Sequence, residues 1–258
     1  MAVFSPTWLG GAAETLFRRH HAGVVDGACW DVDPNLTELE RERLRLVWTH
    51  SAHQEWCAAA AFVALQEALL LARAPVDLIG ASGRFVADEM LHVELACRMA
   101  TAYGGGAPLD VDPTALRPSV APGRTPRERA GELAVRVSCV GESFSLPLIA
   151  AEFAATHDPL SRHVLGRIAK DEAAHSRIGW WVLDWLEERA TAAERRLLAV
   201  AADDAIDALR PVFVAEPSRQ DWMSDVLARR IAAPLAARGI QVAARSWSAS
   251  AHPSSVSG

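Results

Sequence analysis

Apolar residues recur at three- and four-residue intervals along most of the chain, and sharp breaks divide that periodicity into predicted helices. Thr37-x-x-Glu40 is a capping box, and the stretch that follows runs to about Arg73 without Gly or Pro. Pro75 suits the first turn of a second helix, which extends to Tyr103 and stops at Gly104-Gly105-Gly106. A Pro/Gly-rich connection leads to Gly123. Thr125-Pro126-x-Glu128 then starts a third helix, and His157-Asp158-Pro159 ends it and starts a fourth, reaching about Arg189. Thr191-x-x-Glu194 opens a fifth closed by Pro211, and a sixth falls within Ser218 to Ala233. No stretch alternates as a strand would. The expectation is an all-α chain: an N-terminal segment (1–36), a four-helix bundle of two hairpins joined by a long crossover (37–190), two accessory helices (191–245) and a Ser-rich disordered tail (246–258).

The two hairpins echo one another. Helix two carries Asp88-Glu89-Met90-Leu91-His92 and helix four carries Asp171-Glu172-Ala173-Ala174-His175. Residues three apart share a helix face, so each Glu and His can grip one ion. A lone E-x-x-H arises by chance, but two copies, each after an Asp and each on the second helix of a hairpin, point to a paired metal site. Such a site in a bundle takes one further Glu from each remaining helix. Residues level with one another across a hairpin are equidistant from its turn. Counting around Ala74-Pro75 places the partner of Glu89/His92 within about a turn of Glu55, whereas Glu67 sits too far along and about 120° off that face. Counting around Asp158 selects Glu142 and passes over Glu152. The expected ligands are Glu55, Glu89, His92, Glu142, Glu172 and His175. Four carboxylates and two imidazoles suit iron or manganese better than zinc, and two divalent ions neutralise the carboxylates.

Composition narrows the remaining classes. The 258 residues carry a formal net charge of −6 and are half hydrophobic, which argues against nucleic acid as the main partner. The apolar run from Cys57 to Ala72 is broken by Gln66 and Glu67, so no membrane span is expected, and the first residues lack a signal-peptide pattern. Cys29, Cys57, Cys97 and Cys139 form no CxxC, which points to reduced thiols and a cytoplasmic protein, not a zinc ribbon or rubredoxin-type centre.

With these motifs the chain resembles the ferritin-like superfamily of di-iron carboxylate proteins over about Thr37 to Arg189. The resemblance implies a ferritin-like bundle with two Fe ions, or a Mn/Fe pair, in which Asp88 orients His175 and Asp171 orients His92. Two added helices set it apart from storage ferritins, and the lone Tyr103, turns away from His92, does not suit a tyrosyl radical. The nearest functional resemblance is to the p-aminobenzoate N-oxygenase group of small-molecule di-iron oxygenases. It departs from that group at Ile168, where the group carries a further His, and His163 is out of register to replace it.

The function so implied is O2-dependent oxidation of a small, secondary-metabolite-like substrate by hydroxylation, N-oxygenation, desaturation or oxidative cleavage. The alternative is a ferritin-like protein that binds or handles metal without acting as an enzyme. Residues one turn from the ligands outline a substrate pocket: Ala59, Phe62, Phe85, Val86, Cys139, Leu146 and Ile168. Pro147 predicts a kink or bulge in helix three. The expected partners are O2, an external electron donor, a second copy of the chain, and a substrate either free or borne by a carrier protein; Arg41, Arg43 and Arg45 read as a solvated helix face in preference to a dock for such a carrier. His20, His21, His50 and His53 read as surface or capping residues, and Trp180, Trp181 and Trp185 as packing against the added helices.

Overall fold

A computed structural model describes residues 2–21, 23–25, 30–116, 118–188 and 190–243, and is 75% helix and 1% strand. Cys29 and the predicted tail lie outside the described residues. The long elements are α1 (Gly11–His20), α2 (Glu38–Leu71), α3 (Val76–Ala102), α4 (Pro126–Ala155), α5 (Pro159–Glu187), α6 (Ala192–Asp207), α7 (Arg210–Ala215) and α8 (220–237). All three capping boxes are formed. The hydroxyls of Thr37, Thr125 and Thr191 accept from the backbone of Glu40, Glu128 and Glu194, whose carboxylates accept in return. Pro126 and Pro159 occupy first turns, where a missing N–H costs nothing.

A tight turn at Ala72–Pro75 folds α3 back along α2, and Asp158, whose carboxylate caps Ser161 N–H at 2.7 Å, folds α5 back along α4. The two hairpins then pack face to face, α2 on α4 and α3 on α5. Three features differ from the sequence expectation. The N-terminal segment contains α1, which has no side-chain cap; Arg18 pairs with Glu14 one turn earlier at 2.7 Å and ties the helix to the buried Glu94 of α3 at 2.9 Å. Residues Ala2–Val3 pair antiparallel with Asp110–Val111 of the crossover, a two-residue ladder too short to leave an alternating pattern. Pro211 sits in the first turn of the short helix α7 and does not simply close α6.

The irregularity in α4 lies one turn earlier than Pro147. Val135–Glu142 is a π-helical segment, in which Ser143 N–H bonds Ser138 O, five residues back, and Ser143 Oγ donates to the same carbonyl at 3.1 Å. Pro147 withholds the N–H that would bond the Ser143 carbonyl, and the ladder widens just ahead of it. Ser138 also joins the two helices of its hairpin. Its hydroxyl donates to His175 O at 2.6 Å and accepts from Gly179 N–H at 2.9 Å, bridging two groups that an α-helix ordinarily pairs with each other.

The core forms two clusters. One contains Phe62, Leu65, Leu69, Phe85 and Ile178, and is extended by Ile206, Phe213, Met223 and Ile231 of the C-terminal helices. The other contains Trp48, Leu91, Leu95, Met99, Val164 and Ile168. Along α2 and α5 the predicted ligands fall between residues of one cluster and residues of the other, whereas Glu142 of α4 is flanked by Cys139, Val140 and Phe144 of the first cluster alone. Pro126–Ala155 is long and apolar enough to cross a membrane by length and composition, but its most apolar window is 56% buried against the other helices. It also carries the buried carboxylates Glu132 and Glu142, as befits an interior helix.

Candidate metal centre

All six predicted ligands project into the layer between the two clusters. Glu55 comes from α2, Glu89 and His92 from α3, Glu142 from the end of the π segment, and Glu172 and His175 from α5. Glu89, His92 and His175 are fully buried, Glu172 and Glu142 nearly so, and Glu55 is partly exposed. His92 Nδ1 stands 3.4 Å from Glu89 Oε2, 3.3 Å from Glu172 Oε1 and 3.7 Å from Glu55 Oε2. Donor atoms of Glu55, Glu89, His92 and Glu172 all lie within 4.8 Å of one another, and this cluster can hold a metal ion. His175 Nδ1 lies 2.8 Å from Glu89 Oε1 and 3.4 Å from Glu172 Oε2. Glu142 lies beside Glu172 and accepts from Ser145 Oγ at 3.1 Å.

The chemistry of these donors fits a cation. Both Glu89 oxygens, Glu172 Oε2 and the Nδ1 atoms of His92 and His175 are buried without an aligned hydrogen bond, although they crowd together. Each unsatisfied buried polar atom costs about 1–3 kcal/mol, so a convergent set of them is expensive unless something charged sits between. The imidazoles are turned suitably. His92 Nε2 faces Asp171 Oδ2 at 3.3 Å and His175 Nε2 faces Asp88 Oδ2 at 3.5 Å, each reaching the opposite hairpin. An ionised carboxylate only accepts, so Nε2 carries the proton and Nδ1 is left to ligate.

Titration reflects the same crowding. Burial works against a charged imidazole, but Asp88, Glu172 and Glu89 overcome it and push His175 up to about 12. Burial likewise opposes charge on His92, yet Asp171, Glu172, Glu55 and Glu89 raise it well above its ordinary range. Burial lifts Glu55 to about 7 despite the His92 imidazole nearby. Burial, with Glu172 and Glu89 nearby, lifts Glu142 well above the carboxylate range. Burial opposes charge on Glu172 too, but His175 and His92 outweigh it and lower its pKa. Without metal, protons therefore do the neutralising.

Two residues of the layer escaped the sequence reading. Arg167 Nε donates to Asp171 Oδ2 at 2.6 Å, and Arg84 Nε lies 3.5 Å from Asp88 Oδ2. The echo between the hairpins is longer than D-E-x-x-H: it is R-x-x-x-D-E-x-x-H in both copies, and that spacing was legible. The carboxylates passed over lie at the surface, Glu67 facing Arg129 at 3.7 Å and Glu152 pairing with Arg219 at 2.7 Å.

The residues expected to outline a pocket are divided. Phe62 and Phe85 pack on the His175 ring, with centroids 5.3 and 4.5 Å away, and Cys139 faces Gly179. Val86 and Leu146 are half-buried, Ala59 is buried, and Ile168 belongs to the other cluster. Two cavities lie under the N-terminal segment. One of about 240 Å³ is lined by Trp8, Phe17, Trp56, Met90 and Val93, and one of about 620 Å³ by Phe4, Thr49, Ala52 and Cys97 among others. Trp180 and Trp185 are covered by Arg238 and Arg127, whereas Trp181 is 44% exposed and does not pack as expected. His50 is exposed. His53 meets Phe4 edge-on, and His21 is buried beside Phe17 and not at the surface. Arg41 and Arg45 are half-buried beside exposed Arg43, and Arg45 is engaged by Glu42 at 2.8 Å.

No protein-family model, no curated protein and no solved structure matches this chain.

Proposed function

We propose that the chain is a ferritin-like di-iron carboxylate protein that uses O2 to oxidise a small organic substrate by hydroxylation, N-oxygenation, desaturation or oxidative cleavage. The observation that carries this reading is the set of six converging Glu and His residues, with orphaned donor atoms between them and crossed Asp contacts behind both imidazoles. A four-oxygen-ligand, two-nitrogen set suits iron or manganese. Two ferrous ions would supply the electrons and Lewis acidity that O2 reduction needs.

The chain's own part is to hold and shield. Glu89 and Glu172 each lie close to both imidazoles, Glu55 approaches His92 and Glu142 sits beside Glu172, and these six side chains would hold the metal. Asp171 fixes the His92 ring through a hydrogen bond to Nε2, and Asp88 stands behind His175 Nε2 at 3.5 Å. Phe62 and Phe85 keep water from the His175 side. Glu142, on the π segment and hydrogen-bonded to the side chain of Ser145, is the ligand with the least regular backbone behind it. The packing of Phe62 and Phe85 on His175 also favours a second reading, metal binding without oxidation of an organic molecule.

Metal analysis of protein produced in iron-supplemented medium, followed by stopped-flow absorption after mixing the reduced form with O2, separates these. About two irons per chain and a transient visible band support the oxygen-activating reading. Two irons with no O2-dependent signal leave the metal-binding reading. No metal overturns both, and a single zinc overturns the di-iron reading. Glu89→Ala should lose iron, and full occupancy in that variant would remove the ligand assignment.

A further inference from the structure

We infer that the two halves of this centre are unequal: the half built on His92 takes its metal first and more tightly, and Arg167 is the positioning residue that makes it so. The inference rests on the di-metal reading above and deepens it.

The sequence repeats R-x-x-x-D-E-x-x-H in both hairpins, but the structure engages the two copies differently. In one, Arg167 Nε donates to Asp171 Oδ2 at 2.6 Å, and the same oxygen takes the Nε2 proton of His92 at 3.3 Å, both with hydrogen-bond alignment. In the other, Arg84 stands 3.5 Å from Asp88, and Asp88 another 3.5 Å from His175 Nε2, which has no aligned hydrogen bond. The Arg167 side chain is 23% exposed and the Arg84 side chain 74%, so the first guanidinium is held against the bundle and the second is largely in solvent. An imidazole locked at Nε2 keeps Nδ1 aimed at the ion, whereas one held loosely must be ordered when the ion arrives.

The remaining ligands differ in the same sense. Glu55, on regular α-helix, has a donor atom within 4.8 Å of donors on Glu89, His92 and Glu172, so the His92 half is already assembled. Glu142, the terminal carboxylate of the His175 half, comes from the π segment and is turned to Ser145 and Glu172. Two independent features, the Arg–Asp–His relay and the terminal carboxylate, thus prepare one half and leave the other to form.

Titration of the metal-free full chain with Mn²⁺ by calorimetry tests this. The wild-type protein should show two steps, separated by tenfold or more in affinity. Arg167→Gln should weaken the tight step by about tenfold, in line with the usual effect of an outer partner of a ligand, and leave the weak step within twofold. Arg84→Gln should leave both steps within twofold, and Arg167→Lys should recover part of the loss. A merely structural role for Arg167 would move both steps together. Glu142→Gln supplies a test that does not depend on how the Arg167 variants fold: it should retain one Mn²⁺ at wild-type tight affinity. Two equal steps in the wild type, a larger effect from Arg84→Gln, or loss of the tight step in Glu142→Gln would overturn the inference while leaving the di-metal reading in place. Absence of any Mn²⁺ binding by the wild type would overturn both.

Discussion

Gly179 offers the sharpest test of how the site is held. It lies on α5 one turn after His175, where the π segment of α4 comes closest. A Cβ at this position would stand 2.7 Å from Ala134 O, 2.7 Å from Cys139 Sγ and 2.9 Å from Cys139 N. The thiol can swing aside, but the two backbone atoms cannot, so Gly179→Ala must push α4 from α5. Gly80, on the exposed side of α3, has nothing within 4 Å of its own virtual Cβ and serves as the matched control. Both substitutions gain the same helix propensity, about 0.8–1 kcal/mol. The difference between the variants therefore isolates the clash, about 1–3 kcal/mol for an overpacked methyl. For a chain of this size that difference is about 2–12 °C in Tm, measured on metal-free protein by calorimetry. The displacement also pulls on Ser138, whose hydroxyl links the His175 turn to the segment ending at Glu142, so metal per chain should fall in Gly179→Ala and not in Gly80→Ala. If Gly179→Ala melts at or above Gly80→Ala with full metal occupancy, the close approach is not what holds the π segment in place.

Two further outcomes follow from the buried charges. Glu142→Gln removes a carboxyl that burial, Glu172 and Glu89 disfavour as an anion, so metal-free protein at pH 8 should melt higher by the equivalent of about 1 kcal/mol; a lower Tm would contradict the assignment of its strain. The second concerns pH. Glu55 rises from its ordinary 4.5 to about 7 on folding, so its contribution is complete below pH 4.5 and is lost as pH rises through 7, up to about 3 kcal/mol at 1.36 kcal/mol per unit. His175 rises from 6.5 to about 12, so its contribution is complete below pH 6.5 and is lost only as pH climbs towards 12. Metal replaces these protons, so the Tm gain on adding Mn²⁺ should grow between pH 5 and 8, and a gain that shrank over that interval would refute the proton count.

The hairpins were legible because their ends carry their own chemistry. Capping boxes at Thr37, Thr125 and Thr191 and prolines at first turns act locally, so sequence reveals them without tertiary knowledge. The hairpin geometry then located Glu55 and Glu142, because levelness across a turn depends only on rise per residue. What stayed hidden depends on contacts between distant segments. The α1 helix has no cap and is held through Arg18 to Glu94, 76 residues away. The π segment is placed by Ser138 meeting Gly179 across the hairpin, a pairing that no local pattern announces. Arg84 and Arg167 are a different case, since their spacing was present in both copies and the four-residue interval puts each on the face of its Asp.

The layer between the two core clusters argues for function more strongly than any motif does. Its neighbours along the bundle are Phe62 and Phe85 on one side and Leu91, Leu95 and Ile168 on the other, all buried and well able to continue as one apolar core. Filling that layer with aliphatic side chains would be neutral or stabilising by about 1–4 kcal/mol compared with buried ionic groups. The chain instead places four carboxylates and two imidazoles there, backs both rings with aspartates from the opposite hairpin, and in the metal-free state answers the charge with protons on His92 and His175. Stability alone gives no reason for that arrangement. A cation does, because it satisfies the orphaned oxygens and Nδ1 atoms together and releases the protons that otherwise balance them. On the proposed reading the π segment that ends at Glu142 has a use: regular α-helix would fix that carboxylate as firmly as Glu55 is fixed, and a widened turn would let it change partners if metal entered.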